Sequence, residues 1–248
     1  MPTELLCIPA PAPWTEAEAR IANHDWDALS RELDGYGCAV IESLLTPGEC
    51  EHIAALYPHE AHFRSHIHMA RHGFGKGAYQ YFKYPLPDLV AALRAALYAR
   101  LAPIANDWSA RMGIAARYPA AHSDFLALCH AAGQTRPTPL LQYGPGDFNA
   151  LHQDLYGTLA FPLQVATLLS APGEDFTGGE FVLTEQRPRM QNRAEVVPLL
   201  QGDAVAFAVH NRPVRGAKGH YRVTMRHGVS RLRSGRRYSL GIILHDAK

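Results

Sequence analysis

The chain has 248 residues, 47% of them apolar and 19% charged, and a formal net charge of +1. That is enough for one sizeable core, and the charge is too balanced for global attraction to nucleic acid. No apolar run reaches membrane-spanning length, and the N-terminus lacks the basic-then-apolar pattern of a secretory leader, so neither a membrane helix nor export is expected.

In chain order, Pro9, Pro11 and Pro13 make residues 1–13 an expected extended arm. Residues 15–22 and 26–33 carry apolar positions at helical spacing, with Thr15 and Asp25 as candidate N-caps. Residues 36–41 read as a short buried strand. Thr46-Pro47-Gly48-Glu49 combines an N-cap, a first-turn proline and a capping-box acid, and predicts a helix to about Tyr57. Residues 89–108 are alanine-rich with apolar intervals of three and four, which predicts a long helix. A second helix is expected near residues 121–132.

The character changes after Gly133-Gln134-Thr135-Arg136-Pro137. Strand-like runs follow at residues 140–143, 163–169, 180–183, 204–208, 221–225 and 237–244. Gly144-Pro145-Gly146-Asp147, Gly178-Gly179 and charged turns separate them. The pattern predicts an α+β fold. Residues 1–135 form a mainly helical region packing on the core, and residues 136–248 form a β-sandwich or jelly roll. Cys7, Cys38, Cys50 and Cys129 form no Cys-x-x-Cys pair, which points to a reducing cytoplasm.

The chemistry is carried by His152-Gln153-Asp154. On an extended chain, residues two apart project to one face, so His152 and Asp154 can reach one ion. Tyr143-Gly144-Pro145-Gly146 upstream predicts a strand, a tight turn and a return to a sheet mouth, with the Tyr143 hydroxyl aimed at a bound carboxylate. His210, His220, His227 and His245 compete as the second histidine. His227 is favoured because it ends a strand-like run and has Arg237 ten residues on. Ser234-Gly235 is expected to turn the chain back in a hairpin that brings Arg237 near His227. Ser239 shares the Arg237 face, Arg236 faces the other way, and Arg233 is a further competitor.

Two histidines and one carboxylate are the facial ligand set of non-haem Fe(II), which leaves coordination positions open. An arginine fork suits the carboxylate of a co-substrate. Together these residues predict a dioxygenase using Fe(II), 2-oxoglutarate and O2. A catalytic zinc site has no need of the arginine. A two-histidine cupin-like barrel has none either.

Other features have a plain and a sharp reading. From Arg187 to Arg237 there are twelve Lys or Arg against Glu195 and Asp203; these are solvated faces, or a basic rim for an anionic substrate. Tyr79, Tyr81, Phe82 and Tyr84 are packing residues, or a stack for a nucleobase. Residues 69–75 and 178–186 are loops against the helices, or a cover over the site. Gln153 is expected to brace its strand, Asp203 to form a turn, and Phe207 and Leu168 to line the core.

Met69-Ala70-Arg71-His72-Gly73-Phe74-Gly75, His152-Gln153-Asp154-Leu155-Tyr156-Gly157, the stretch from Gly178-Gly179-Glu180 to Arg187-Pro188-Arg189, and Arg226-His227-Gly228-Val229-Ser230 resemble a bacterial family of 2-oxoglutarate- and Fe(II)-dependent oxygenases described for oxidative demethylation of damaged DNA. The resemblance covers most of the chain. It implies a double-stranded β-helix from about residue 136, braced by N-terminal helices. The string Leu151-His152-Gln153-Asp154 is also similar to AlkB-type repair enzymes. Their Arg-x-Asn-x-Thr-x-Arg signature is absent, and the single Arg237 is more like the prolyl-hydroxylase and small-molecule branches. The substrate readings are therefore an alkylated nucleic acid, or a small metabolite or protein side chain. A metal-binding sensor without turnover is the third reading.

Overall fold

The computed structural model describes residues 15–155 and 157–248; the expected arm at residues 1–13, with Cys7, lies outside the described residues. Helix α1 (Thr15–Asn23) begins at Thr15 itself. Helix α2 (Trp26–Tyr36) opens on Asp25, whose carboxylate accepts from the Ala28 N–H at 2.9 Å. It closes on Gly37 in the left-handed region, so Tyr36, expected in the next strand, ends a helix instead. Strand β1 (Cys38–Ile41) follows. Helix α3 (Pro47–Ala55) carries the expected capping box, with the Glu49 carboxylate accepting from the Thr46 N–H at 2.8 Å. It stops at Ala55, short of Tyr57.

Three strands come next: β2 (Phe63–His68), β3 (Gly75–Lys76) and β4 (Ala78–Phe82). Helices α4 (Asp88–Arg111) and α5 (His122–Ala131) follow. The remaining chain is strands: β5 (Pro139–Tyr143), β6 (Phe148–His152), β7 (Leu163–Leu168), β8 (Phe176–Gly178) and β9 (Phe181–Gln186). They continue as β10 (Arg193–Val197), β11 (Ala204–Ala208), β12 (Asn211–Gly216), β13 (Gly219–Val229), β14 (Leu232–Gly235) and β15 (Arg237–Ile242).

One antiparallel sheet has the order β1-β11-β7-β15-β5-β4-β2. The second has the order β10-β9-β13-β6-β3, with β12 also on β13; β14 pairs β8 apart from both. The two large sheets face each other. Phe181 of β9 and Phe207 of β11 meet with ring centroids 5.0 Å apart. The first sheet is covered on its outer side by helices: α2 packs on β1 and β11, and α1 on α4. This double cover makes β7 and β11 almost continuously apolar.

The sheets do not begin at residue 136. Strands β1, β2 and β4 belong to the first sheet and β3 to the second, so the N-terminal region is built into both. The chain between β2 and β4 crosses from one sheet to the other. Gly75, at φ 120°, permits the crossing: a Cβ there would fall 2.3 Å from the Phe148 carbonyl oxygen. Met69 anchors the same segment in a small core with Tyr143, Leu168, Phe176 and Leu232. Among the described residues no helix is long and apolar enough to cross a membrane. Cys38, Cys50 and Cys129 are buried free thiols.

Candidate metal centre

Strands β6 and β13 run antiparallel with His152 directly opposite His227. Their ring centroids are 4.2 Å apart. Asp154, just past β6, lies between them: one carboxylate oxygen is 3.2 Å from His152 Nε2 and the other 3.4 Å from His227 Nε2. The three ligand atoms lie within 4.8 Å of one another. His210, His220 and His245 are not part of this group.

Local structure fixes each member. His152 Nδ1 is 2.8 Å from the Ala150 carbonyl, which leaves Nε2 for the centre. Gln153 points away and donates to the Met225 carbonyl at 2.7 Å, tying the β6 end to β13. His227 packs against Phe207, 4.5 Å away, with Phe181 behind at 6.1 Å. The register slips between His227 and Val229, where β6 carries an extra residue. That bulge lets Asn149 and His152, three apart, line the same cavity. Gly228 makes the close approach possible, since a Cβ there would meet the Asn149 carbonyl at 2.6 Å.

The electrostatics favour a cation. Burial works against the Asp154 charge, yet the two histidines hold its carboxyl far below the usual range. Burial lowers His152, but Asp154 outweighs it and the net shift is upward. For His227 burial prevails and the shift is downward. An anionic carboxylate between two imidazoles, opening on a cavity, is a donor set that fits a divalent metal.

Arg237 lies across the cavity on β15, directly opposite Tyr143 of β5. It is 3% exposed. Its side chain donates to Ser239 Oγ at 3.1 Å and faces the Tyr143 and Phe176 rings at 5.6 and 5.9 Å. Its Nε has no hydrogen-bond partner, and it makes no ion pair among the described residues. Burial lowers its pKa. Burial also raises the phenol of Tyr143. Glu180 acts on Arg237 only from beyond ion-pair range, and a desolvated guanidinium without a contacting acid can receive an anion.

The expected hairpin between His227 and Arg237 does not exist. β13 and β15 lie in different sheets, and the intervening β14 pairs β8. Arg237 shares a cavity with the centre because the sheets face each other. The triplet is likewise delivered by a chain reversal that changes sheets, since β5 and β6 belong to different ones.

The aromatic cluster divides. Tyr79 and Tyr81 line the cavity, Phe82 sits in the main core, and Tyr84 bonds Asp246 at 2.8 Å. Residues 181–186 form an interior strand, β9, and do not cover the site. Asp203 accepts from Ser43 N–H at 2.8 Å and Leu200 N–H at 2.9 Å, as a turn former should. Sequence reasoning passed over Asn149 and Gln164. Both line the cavity, of about 90 Å³, and Gln164 Nε2 is buried without a partner. The signal for Gln164 was a long polar side chain in a mainly apolar strand whose other polar residue is the small Thr167.

A model of a family described as oxygenases catalysing oxidative methylation of damaged DNA matches residues 77–247. An uncharacterised protein of Mycobacterium tuberculosis is 53% identical over 167 residues, spanning 67% of this chain and 72% of the relative. Among solved structures, a prolyl-4-hydroxylase of Pseudomonas putida is similar with a TM-score of 0.52 at 14% identity, over 87% of this chain and 96% of that one. A prolyl hydroxylase of Trichoplax adhaerens, solved with a peptide fragment of the hypoxia inducible factor oxygen degradation domain, gives 0.54 at 14% identity, over 94% and 92%. The likeness to these two is one of fold.

Proposed function

The chain belongs to this oxygenase family, and on that premise we propose that it is a 2-oxoglutarate- and Fe(II)-dependent dioxygenase that oxidises a methyl group on damaged DNA. His152, Asp154 and His227 hold the iron. Arg237, with Ser239 and Tyr143, binds the distal carboxylate of 2-oxoglutarate. The two facing sheets are the walls of a double-stranded β-helix, and the N-terminal helices brace its outer side. Ferrous iron with 2-oxoglutarate and oxygen supplies C–H hydroxylation, with succinate and CO2 as co-products. A hydroxylated N-methyl group is then lost as formaldehyde.

The carrying observation is the buried, unpaired Arg237 facing the His-Asp-His group across one cavity. A metal site alone would not need it. Phe181 and Phe207 pack on the His227 ring, and His152 is oriented by the Ala150 carbonyl.

The test is anaerobic addition of Fe(II) and 2-oxoglutarate, followed in the visible for the chelate's charge-transfer band. Oxygen is then admitted and succinate measured with and without methylated DNA. A band and DNA-stimulated succinate are expected. A band with DNA-independent succinate would transfer the substrate to a metabolite or protein side chain. No band would refute the iron and co-substrate assignments.

A further inference from the structure

Between Glu60 and Asp88 the chain has no acidic residue. It carries Arg64, Arg71, Lys76, Lys83 and four histidines. Arg64, Arg71 and Lys76 are all exposed. This is the segment that crosses between the sheets, and its Phe74, Tyr79 and Tyr81 line the cavity. Its short strand β3 lies directly on β6, the strand that bears His152. The Phe74 carbonyl accepts from Ala150 N–H at 2.9 Å. A basic surface is therefore fixed beside the metal strand.

A second strand of chain extends it. Arg64 donates to the Thr135 carbonyl at 2.5 Å, which sets it beside the exposed Arg136. Arg136 and Asp154 both act on the Tyr79 phenol, which burial pushes up to about 12. Tyr79 itself lines the cavity from β4, which pairs with β2, the strand that bears Arg64. The counter-charges nearby are few: Glu60 at the start of the segment, and Asp147 in the groove with His68 and Lys76.

The basic run at residues 187–237 is less available than its charge count suggests. Arg212 is 1% exposed and bonded to Glu185, Arg187 bonds the same carboxylate, and Arg193 is 3.8 Å from it. Arg222 is bonded to the Met112 carbonyl, and Arg237 is buried.

We propose that a single-stranded nucleic acid lies on the face of residues 63–82, with Arg64, Arg71, Lys76 and Arg136 as its phosphate contacts. The inference deepens the DNA reading above and rests on it. A single strand fits because the metal group is recessed between two sheets, so the reacting base must leave any stack to enter. Phe74 and Tyr79 at the cavity wall offer that base an aromatic surface.

The experiment is fluorescence anisotropy of a labelled oligothymidylate with the full, metal-free chain, between about 50 and 200 mM NaCl. A phosphate contact on a single strand contributes about −0.7 to the slope of log K against log salt, so four give about −2.8. The double variant Arg71→Gln/Lys76→Gln should make that slope shallower by about 1.4. Arg64→Gln/Arg136→Gln should do the same. Arg215→Gln/Lys218→Gln, on the exposed β12–β13 turn, should leave it unchanged. Loss in the last variant with none in the first two would overturn the assignment, as would salt-independent or absent binding. The charge-transfer band is measured without nucleic acid, so failure here leaves the iron and 2-oxoglutarate reading to be judged separately.

Discussion

Two buried arginines divide the molecule into a part the chain completes and a part it leaves open. Arg94 on α4 and Arg237 on β15 are 1% and 3% exposed. Arg94 donates to Asp246 at 2.8 Å, to the Ile243 carbonyl at 2.9 Å and to the Tyr84 hydroxyl at 3.0 Å. Arg237 has Ser239 and two aromatic faces. Desolvating a guanidinium costs several kcal/mol. Around Arg94 an acid of the same chain offsets that cost, and the pair locks the C-terminal segment onto α4. Around Arg237 no acid of the described residues does so, and under the function proposed above the offset is left to a ligand. Burial alone does not separate structural from functional charge; the missing partner does.

The largest effects should break this contrast outright. Asp246→Ala leaves Arg94 buried and unpaired, and should cost about 3–5 kcal/mol of stability in urea unfolding. Arg237→Met should cost no stability, yet weaken 2-oxoglutarate binding by about 2–5 kcal/mol in calorimetry of the Fe(II) form. Equal destabilisation by the two variants would erase the distinction.

A smaller effect belongs to the Arg94 side. His122 and His245 are lowered to about 4 by burial, with the Arg94 charge adding to it. The unfolded chain then binds more protons between about pH 4 and 6.5, so their stabilisation is complete above 6.5 and is lost as pH falls toward 4. The expected slope is on the order of 1 kcal/mol per pH unit for each group. His122→Gln should halve it in denaturation series across that window. On the open side, Ser239→Ala removes one hydrogen bond to Arg237 and should weaken 2-oxoglutarate by about 0.5–1.5 kcal/mol, with no change in unfolding.

The sequence revealed most where burial was one-sided or complete. The capping box at Thr46 and the apolar runs of β7 and β11 were legible because local chemistry and tertiary role agree there. Strand β2, Phe-Arg-Ser-His-Ile-His, was not, since an edge strand keeps exposed charge on alternate positions. Strand β6 was obscured by its bulge and by polar residues that face a cavity rather than solvent. In the site, spacing and residue type pointed to His152, Asp154, His227 and Arg237, which the fold brings to one cavity. How they meet was not readable, because a turn at Ser234-Gly235 looks the same whether it closes a hairpin or passes the chain to another sheet.

That passage has a mechanical consequence. His152 and His227 stand on one wall and Arg237, Ser239 and Tyr143 on the other, so the distance from metal group to guanidinium is the gap between the walls. Side chains such as Phe181 and Phe207 act as the spacer of a calliper. Trimming the spacer should shift the jaws before it unfolds the sandwich, and mild heating or hydrostatic pressure should do the same. Co-substrate affinity should therefore serve as a more sensitive gauge of core packing than the melting temperature.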